Sequence, residues 1–167
     1  AVFAEADAAL RPEGLESITQ LCFEGPDEDL KLTSNTQPAI VTTSVALLRA
    51  LGETPDVAAG HSLGEYSALV AAGALPLDVT ARLLRLRGEA MQAAIPVGEG
   101  AMAAVLGLEI DDVSAIAGEA SSAGVCSVAN DNSPGQIVVS GAQAAVEKAA
   151  ELAKETGAKR AMMLPVS

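Results

Sequence analysis

One five-residue run carries the clearest chemistry in this chain: Gly60-His61-Ser62-Leu63-Gly64. Gly-x-Ser-x-Gly is the pattern of a nucleophile elbow, a serine on a sharp turn between a strand and a helix. Such a turn strains the serine backbone, and flanking glycines leave room for the chain to fold back on itself. The hydroxyl then projects into open space. The helix that follows offers unpaired N–H groups and the positive end of its dipole. Those donors can hold the negative oxygen of a tetrahedral intermediate, and the Leu63 N–H is the natural first one. Ser62 is therefore the candidate nucleophile and Leu63 the candidate oxyanion donor.

A serine nucleophile needs a base. His61 is the only histidine in the sequence. Adjacent residues on a tight turn point in different directions, and a base must come within about 3 Å of the hydroxyl. His61 thus reads as a packing or hydrogen-bonding group at the turn and a pocket-lining candidate. The base is either not a histidine or lies outside these residues.

A second candidate is Arg87. A helix predicted from Leu77 to Ala94 carries Arg82, Arg85 and Arg87. At about 100° per residue, Val79, Leu83, Leu86, Ala90 and Ala94 share one apolar sector. Arg87 falls inside it, Arg85 lies opposite and Arg82 at its edge. An arginine on an apolar face needs an anion. That anion is a carboxylate of the protein or a carboxylate of a ligand held in a bidentate fork.

The elements that must position these groups follow from pattern and punctuation. A helix is predicted from the first residues to Leu10, with Val2, Phe3, Ala6 and Leu10 on one face. A loop is expected around Gly25-Pro26. A second helix should start at Thr36-Gln37-Pro38, with proline in the first turn, and run to about Leu51. Asp56-Val57-Ala58-Ala59 reads as a short buried strand leading into the elbow, and Glu65 to Ala72 as the elbow helix. From Ala101 the pattern changes. Strands are predicted at 103–107, 125–130, 136–140 and 160–166, and helices at 111–123 and 142–156. The order βαββαβ is the ferredoxin-like arrangement, with Asn130-Asp131-Asn132-Ser133-Pro134-Gly135 as its central turn. The predicted fold class is α/β. Residues 1–97 would form part of an α/β-hydrolase-like catalytic core with a parallel sheet, and residues 98–167 an inserted ferredoxin-like subdomain.

Composition narrows the function classes. The 167 residues carry a formal net charge of −12, which repels phosphate backbones and anionic membranes, so neither nucleic acid nor membrane is an expected partner. The longest apolar run, Tyr66 to Leu75, is well short of the about 20 residues a bilayer needs. The two cysteines, Cys22 and Cys126, have no disulfide or metal-ligand spacing, and a reducing, cytoplasmic setting fits. No metal site is expected.

With these residues in view, the chain resembles malonyl-CoA:acyl carrier protein transacylases over essentially its whole length. Gly60-His61-Ser62-Leu63-Gly64-Glu65-Tyr66-Ser67-Ala68-Leu69 is similar to that family's active-site segment. Arg87-Gly88 stands where the family has its substrate arginine. Thr36-Gln37-Pro38-Ala39, Asn130-Asp131-Asn132-Ser133-Pro134-Gly135-Gln136 and Leu164-Pro165-Val166-Ser167 also resemble family segments. The resemblance implies that Ser62 takes a malonyl group from malonyl-CoA and passes it to the phosphopantetheine thiol of acyl carrier protein. It implies ping-pong exchange in fatty acid synthesis, by a monomer with no bound cofactor. It places Arg87 on the malonyl carboxylate and Gln37 in the pocket lining. Asn132 and Arg160 would lie toward the coenzyme or carrier arm.

Two departures from the family pattern matter. The family's Gly-Gln-Gly-Ser-Gln segment, which supplies a second oxyanion donor, would fall before Ala1. Its catalytic histidine would fall a few positions beyond the Pro-Val-Ser run, after Ser167. The chain is therefore expected to be the middle of a longer enzyme. Polyketide-synthase acyltransferases are close relatives, and a serine esterase or thioesterase is the alternative chemistry. For the 167 residues alone, an inactive scaffold is a further alternative.

Overall fold

Helices come first. The computed structural model describes residues 1–95 and 98–164. The chain divides into two units, Ala1–Ala94 and Ile95–Ser167. The first holds α1 (Val2–Leu10), α2 (Ile18–Glu24), α3 (Asp27–Lys31), α4 (Thr33–Leu51), α5 (Leu63–Ala71) and α6 (Leu77–Ala94). Its core is the meeting of α1, α4 and α6, where Val2, Leu10, Val41, Val45, Leu77 and Leu84 are buried. The elbow helix α5 leans on this core through Leu63, Tyr66 and Val70, spaced three and four residues apart on one face. Ser17 caps α2 by accepting the Gln20 N–H at 3.0 Å. Asp7 of α1 ties down that same start, accepting the Thr19 N–H at 3.1 Å and its hydroxyl at 2.6 Å.

Three expectations change here. Helix α4 begins at Thr33, not at Thr36, so Pro38 lies inside it rather than in its first turn. The early start survives without a side-chain cap because α6 supplies an acceptor: the Ser34 N–H donates to Gln92 Oε1 at 3.3 Å. Asp56–Ala59 forms no strand, and Val57 is 85% exposed. A strand is defined by ladder partners, and among the described residues the first unit contains no strand to pair with. The buried stripe of α6 also differs from the predicted sector. It is Leu77, Thr80, Ala81, Leu84 and Gly88, whereas Leu83 and Leu86 are exposed. Small residues at 80, 81 and 88 let neighbouring helices approach, and this outweighs the leucine pattern.

Gly88 is the tightest of those approaches. A Cβ there would sit 2.4 Å from Ser34 Cα and 2.7 Å from Thr33 O, both backbone atoms that cannot swing aside. Gly88→Ala is expected to push α6 off the start of α4. Overpacking of this kind costs about 1–3 kcal/mol, against a helix-propensity gain of about 1 kcal/mol. The melting temperature should fall; a rise would show that the crossing tolerates a methyl group.

The second unit runs β1 (Gly100–Leu106), α7 (Ile110–Ala120), β2 (Cys126–Ser133), β3 (Gln136–Ala142), α8 (Gln143–Glu155) and β4 (Arg160–Met163). The four strands form one antiparallel sheet in the order β2-β3-β1-β4. Ala103, Val105, Ile137 and Val139 turn one face toward Val113, Ile116 and Ala117 of α7 and Ala145, Val146 and Ala149 of α8. Alanine-rich helix faces allow close seating without aromatic side chains.

The central turn is shorter than predicted. β2 continues to Ser133, and only Pro134-Gly135 remain as the turn, with Gly135 at φ 71°. Ala129 and Asn132 are skipped in the β2–β3 register, so the edge strand is bulged. In β4 the ladder ends at Met163, though the Leu164 N–H still donates to the Met102 carbonyl at 2.8 Å. The predicted strand residues Pro165 and Val166, with Ser167, lie outside the described residues. So do Pro96 and Val97 in the predicted boundary.

Candidate active site

Ser62 is the only non-glycine among the described residues with positive φ, at φ 52° and ψ −113°. The cause is local. Gly60 presses its backbone against Gly64, and a Cβ at Gly60 would lie 2.0 Å from the Gly64 carbonyl carbon and oxygen. Only glycine permits that approach, and the chain between the two must reverse sharply. Gly64 itself has no such constraint, since a Cβ there meets nothing within 4 Å. The two glycines thus differ in role. Gly60→Ala should lower the melting temperature and distort the elbow, while Gly64→Ala should leave stability unchanged or higher. Equal losses for both would contradict this packing.

The elbow also frees the serine hydroxyl. A serine at a helix N-cap ordinarily bonds an N–H of the first turn. Ser62 precedes α5 but makes no such cap. The Gly64 N–H goes to the His61 carbonyl at 2.9 Å and the Glu65 N–H to the Ser62 carbonyl at 3.2 Å. Among the described residues, the Leu63 N–H has no backbone acceptor. The start of α5 therefore offers one open donor beside an exposed hydroxyl.

What the hydroxyl meets is Arg87. Its Nη2 donates to Ser62 Oγ at 3.1 Å, and its Nη1 donates to Gln37 Oε1 at 2.5 Å. The guanidinium carbon lies 5.9 Å from the centre of the Tyr66 ring, within cation–π range. Helices α4, α5 and α6 each contribute to this cluster. Arg87 enters it from the side of α6 next to the buried Gly88, not from the predicted apolar sector. Arg85, placed opposite by the wheel, is in fact largely buried. It donates to Asn35 Oδ1, and its Nε lies 2.7 Å from Glu89 Oε1, an ion pair without hydrogen-bond alignment.

Charge sets Arg87 apart from its neighbours. Arg82 pairs with Asp78, Arg85 with Glu89, and Arg49 with Glu5. Arg87 has no carboxylate within 4.0 Å among the described residues, in a chain with 22 acidic residues. Its partners are an amide, a hydroxyl and a ring.

His61 lines a separate cavity of 550 Å³ with Ile40, Val45, Leu48, Leu63 and Ala68, and Ser62 is not part of that lining. Asn132 is exposed on β2 and Arg160 is exposed at the start of β4, both in the second unit. Neither cysteine is a rival nucleophile. Burial, with Asp7 adding to it, pushes the Cys22 thiol up, and burial pushes Cys126 up, so little thiolate forms near neutral pH. Sequence reasoning assigns no role to Tyr66, which meets Arg87, to Met91, which meets Gln37, or to Gln92, which holds the start of α4. Tyr66 was within reach, four residues past Ser62 on the elbow helix; the others show no signal before the helices are packed.

A family model described as acyl transferase domain matches residues 1–166. The chain belongs to the acyl transferase domain family. It is 51% identical over 170 residues to the malonyl CoA-acyl carrier protein transacylase of Bacillus subtilis (strain 168), covering 99% of this chain and 52% of that protein. It is 49% identical over 169 residues to the protein of the same name from Escherichia coli (strain K12), covering 99% and 53%. A solved acyl-carrier-protein S-malonyltransferase from Burkholderia pseudomallei 1710b superposes with a TM-score of 0.92 at 49% identity, covering 99% of this chain and 54% of that one. A malonyl-transacylase in complex with a type II PKS acyl-carrier protein gives the same TM-score at 42% identity and the same coverage. The chain spans about half the length of the curated relatives it matches. Among the described residues of this acyl transferase chain, no helix is long and apolar enough to cross a membrane.

Proposed function

We propose that this chain carries the nucleophile and the acyl-selecting cation of a malonyl transferase. Ser62 Oγ attacks the thioester carbon of malonyl-CoA. The carbon–sulfur bond breaks, coenzyme A leaves as its thiol, and a malonyl-serine ester remains. The proton lost by Ser62 passes through a general base to the leaving sulfur. The phosphopantetheine thiol of an acyl carrier protein then attacks the ester carbon, and the proton returns to Ser62. The Leu63 N–H steadies the oxyanion in both halves. The observation that carries this reading is Arg87, a cation with no carboxylate partner among the described residues, whose guanidinium touches the nucleophile's oxygen. A dicarboxylic acyl group on Ser62 would put its free carboxylate within reach of that cation. The Arg87 guanidinium has only N–H donors and no acceptor, so it cannot itself take the proton of Ser62.

The roles of the two units follow from the same reading. Residues 1–97 act as part of an α/β-hydrolase-like core, and residues 98–167 act as a ferredoxin-like subdomain whose strand order is that of the fold. Gln37 lines the acyl pocket beside Arg87, His61 lines the separate cavity, and Asn132 and Arg160 face the coenzyme or carrier arm. The acceptor is the carrier of fatty acid synthesis, the setting is cytoplasmic, and the enzyme works as a monomer. The test is to supply the intact protein with malonyl-CoA and holo acyl carrier protein and follow where the malonyl group goes. Malonyl carrier should form faster than free malonate. Release of malonate to water as the main product would make the chain a hydrolase instead.

A further inference from the structure

The partner that aims Arg87 has a property the mechanism above does not use. Gln37 is 4% exposed, on the inner side of α4. Its Nε2 donates to Met91 Sδ at 3.4 Å, and its Oε1 accepts from Arg87 Nη1. A guanidinium only donates and a thioether only accepts, so both contacts fix the amide in one orientation. The position is also fixed from outside. Helix α4 is locked against α6 where Gly88 meets Ser34 and where Gln92 takes the Ser34 N–H. Gln37 thus holds Arg87 firmly while contributing no charge.

Among the described residues, Arg49, Arg82 and Arg85 each pair with a carboxylate that is partly exposed to solvent, whereas the partner of Arg87 is buried and neutral. A glutamate at position 37 would fit the same space and bond the same nitrogen. It would also satisfy Arg87 internally, and an incoming carboxylate would have to displace an ion pair. We infer that Gln37 is a specificity-determining positioning residue: its neutral amide oxygen orients Arg87 toward Ser62 without neutralising it, reserving the charge for an anionic acyl group. This rests on the acyl-selecting role proposed for Arg87.

The experiment separates the two claims. Wild-type full chain and Gln37→Glu are titrated with free malonate by calorimetry, and Ser62 loading from malonyl-CoA and acetyl-CoA is measured in parallel. Gln37→Glu should weaken malonate binding by about tenfold or more and lower the malonyl-to-acetyl loading ratio by a similar factor. In an Arg87→Ala background the same change should leave the ratio unmoved, which a general structural defect would not do. Malonate binding and a loading ratio equal to wild type in Gln37→Glu overturn the inference and leave the transferase reading intact. Wild type that binds malonate but loads no malonyl group overturns the transferase reading, and the inference then stands or falls on the binding difference alone. Wild type that binds no malonate overturns the inference. Should the buried carboxylate prevent folding, Gln37→Asn withdraws the acceptor by one methylene while staying neutral. It should weaken malonate binding by about threefold, and unchanged binding there overturns the proposal equally.

Discussion

Ser62→Ala is expected to abolish acyl-enzyme formation and cut transfer by at least about 10³-fold. The magnitude follows from the absence of a substitute among the described residues. Both thiols are pushed toward the protonated form, so neither can take over. Arg87 donates to Ser62 Oγ but supplies no second nucleophile. The fold should be indifferent to the change, because the hydroxyl caps no helix N–H. Alanine inherits the positive φ, so the melting temperature should stay near that of wild type. Ser62→Gly would relieve the strain and should be more stable by about 1 kcal/mol, while being equally inactive. A stable, inactive pair of variants is the signature of strain kept for function. Residual transfer above about 1% in Ser62→Ala would place the nucleophile elsewhere.

Arg87→Ala comes next in size, and its effect should depend on the acyl group. Losing a charge-assisted fork to a carboxylate costs about 2–4 kcal/mol, or roughly 30- to 1000-fold in kcat/KM. Only acyl groups that carry a carboxylate should suffer this. Acetyl loading should fall far less, so the preference for malonyl collapses or inverts. Arg87→Lys should rescue little, because one ammonium cannot reproduce the planar fork that spans Gln37 and Ser62. Parallel kcat/KM values for malonyl-CoA and acetyl-CoA make the test. Equal losses for both would mean that Arg87 orients Ser62 rather than selecting its cargo.

The features legible in the sequence are the local ones. The elbow could be read because its causes lie within five residues: Gly60 folds onto Gly64, and Ser62 takes up the strain. The βαββαβ order could be read because alternation and helical period change cleanly from one segment to the next, and the strand order followed. What failed depends on packing between helices. The stripe Thr80, Ala81, Leu84 and Gly88 is buried because small residues allow close approach, a signal that the leucines at 83 and 86 obscure. Arg87 stands out in the sequence on that wrong stripe. The early start of α4 depends on Gln92, more than fifty residues away. The strand expected at 56–59 had the right composition, but composition does not provide a neighbouring strand. Gln37 enters only through a family resemblance. Its charge neutrality gains meaning once Arg87 is seen to lack a carboxylate among the described residues.

The most direct test of the central claim is to react the intact protein that contains this chain briefly with malonyl-CoA, without carrier protein, and map the adduct by peptide mass spectrometry. One malonyl group per chain should be found, on the peptide containing Ser62, lost on addition of carrier thiol. No adduct, or an adduct on any residue other than Ser62, would contradict the account.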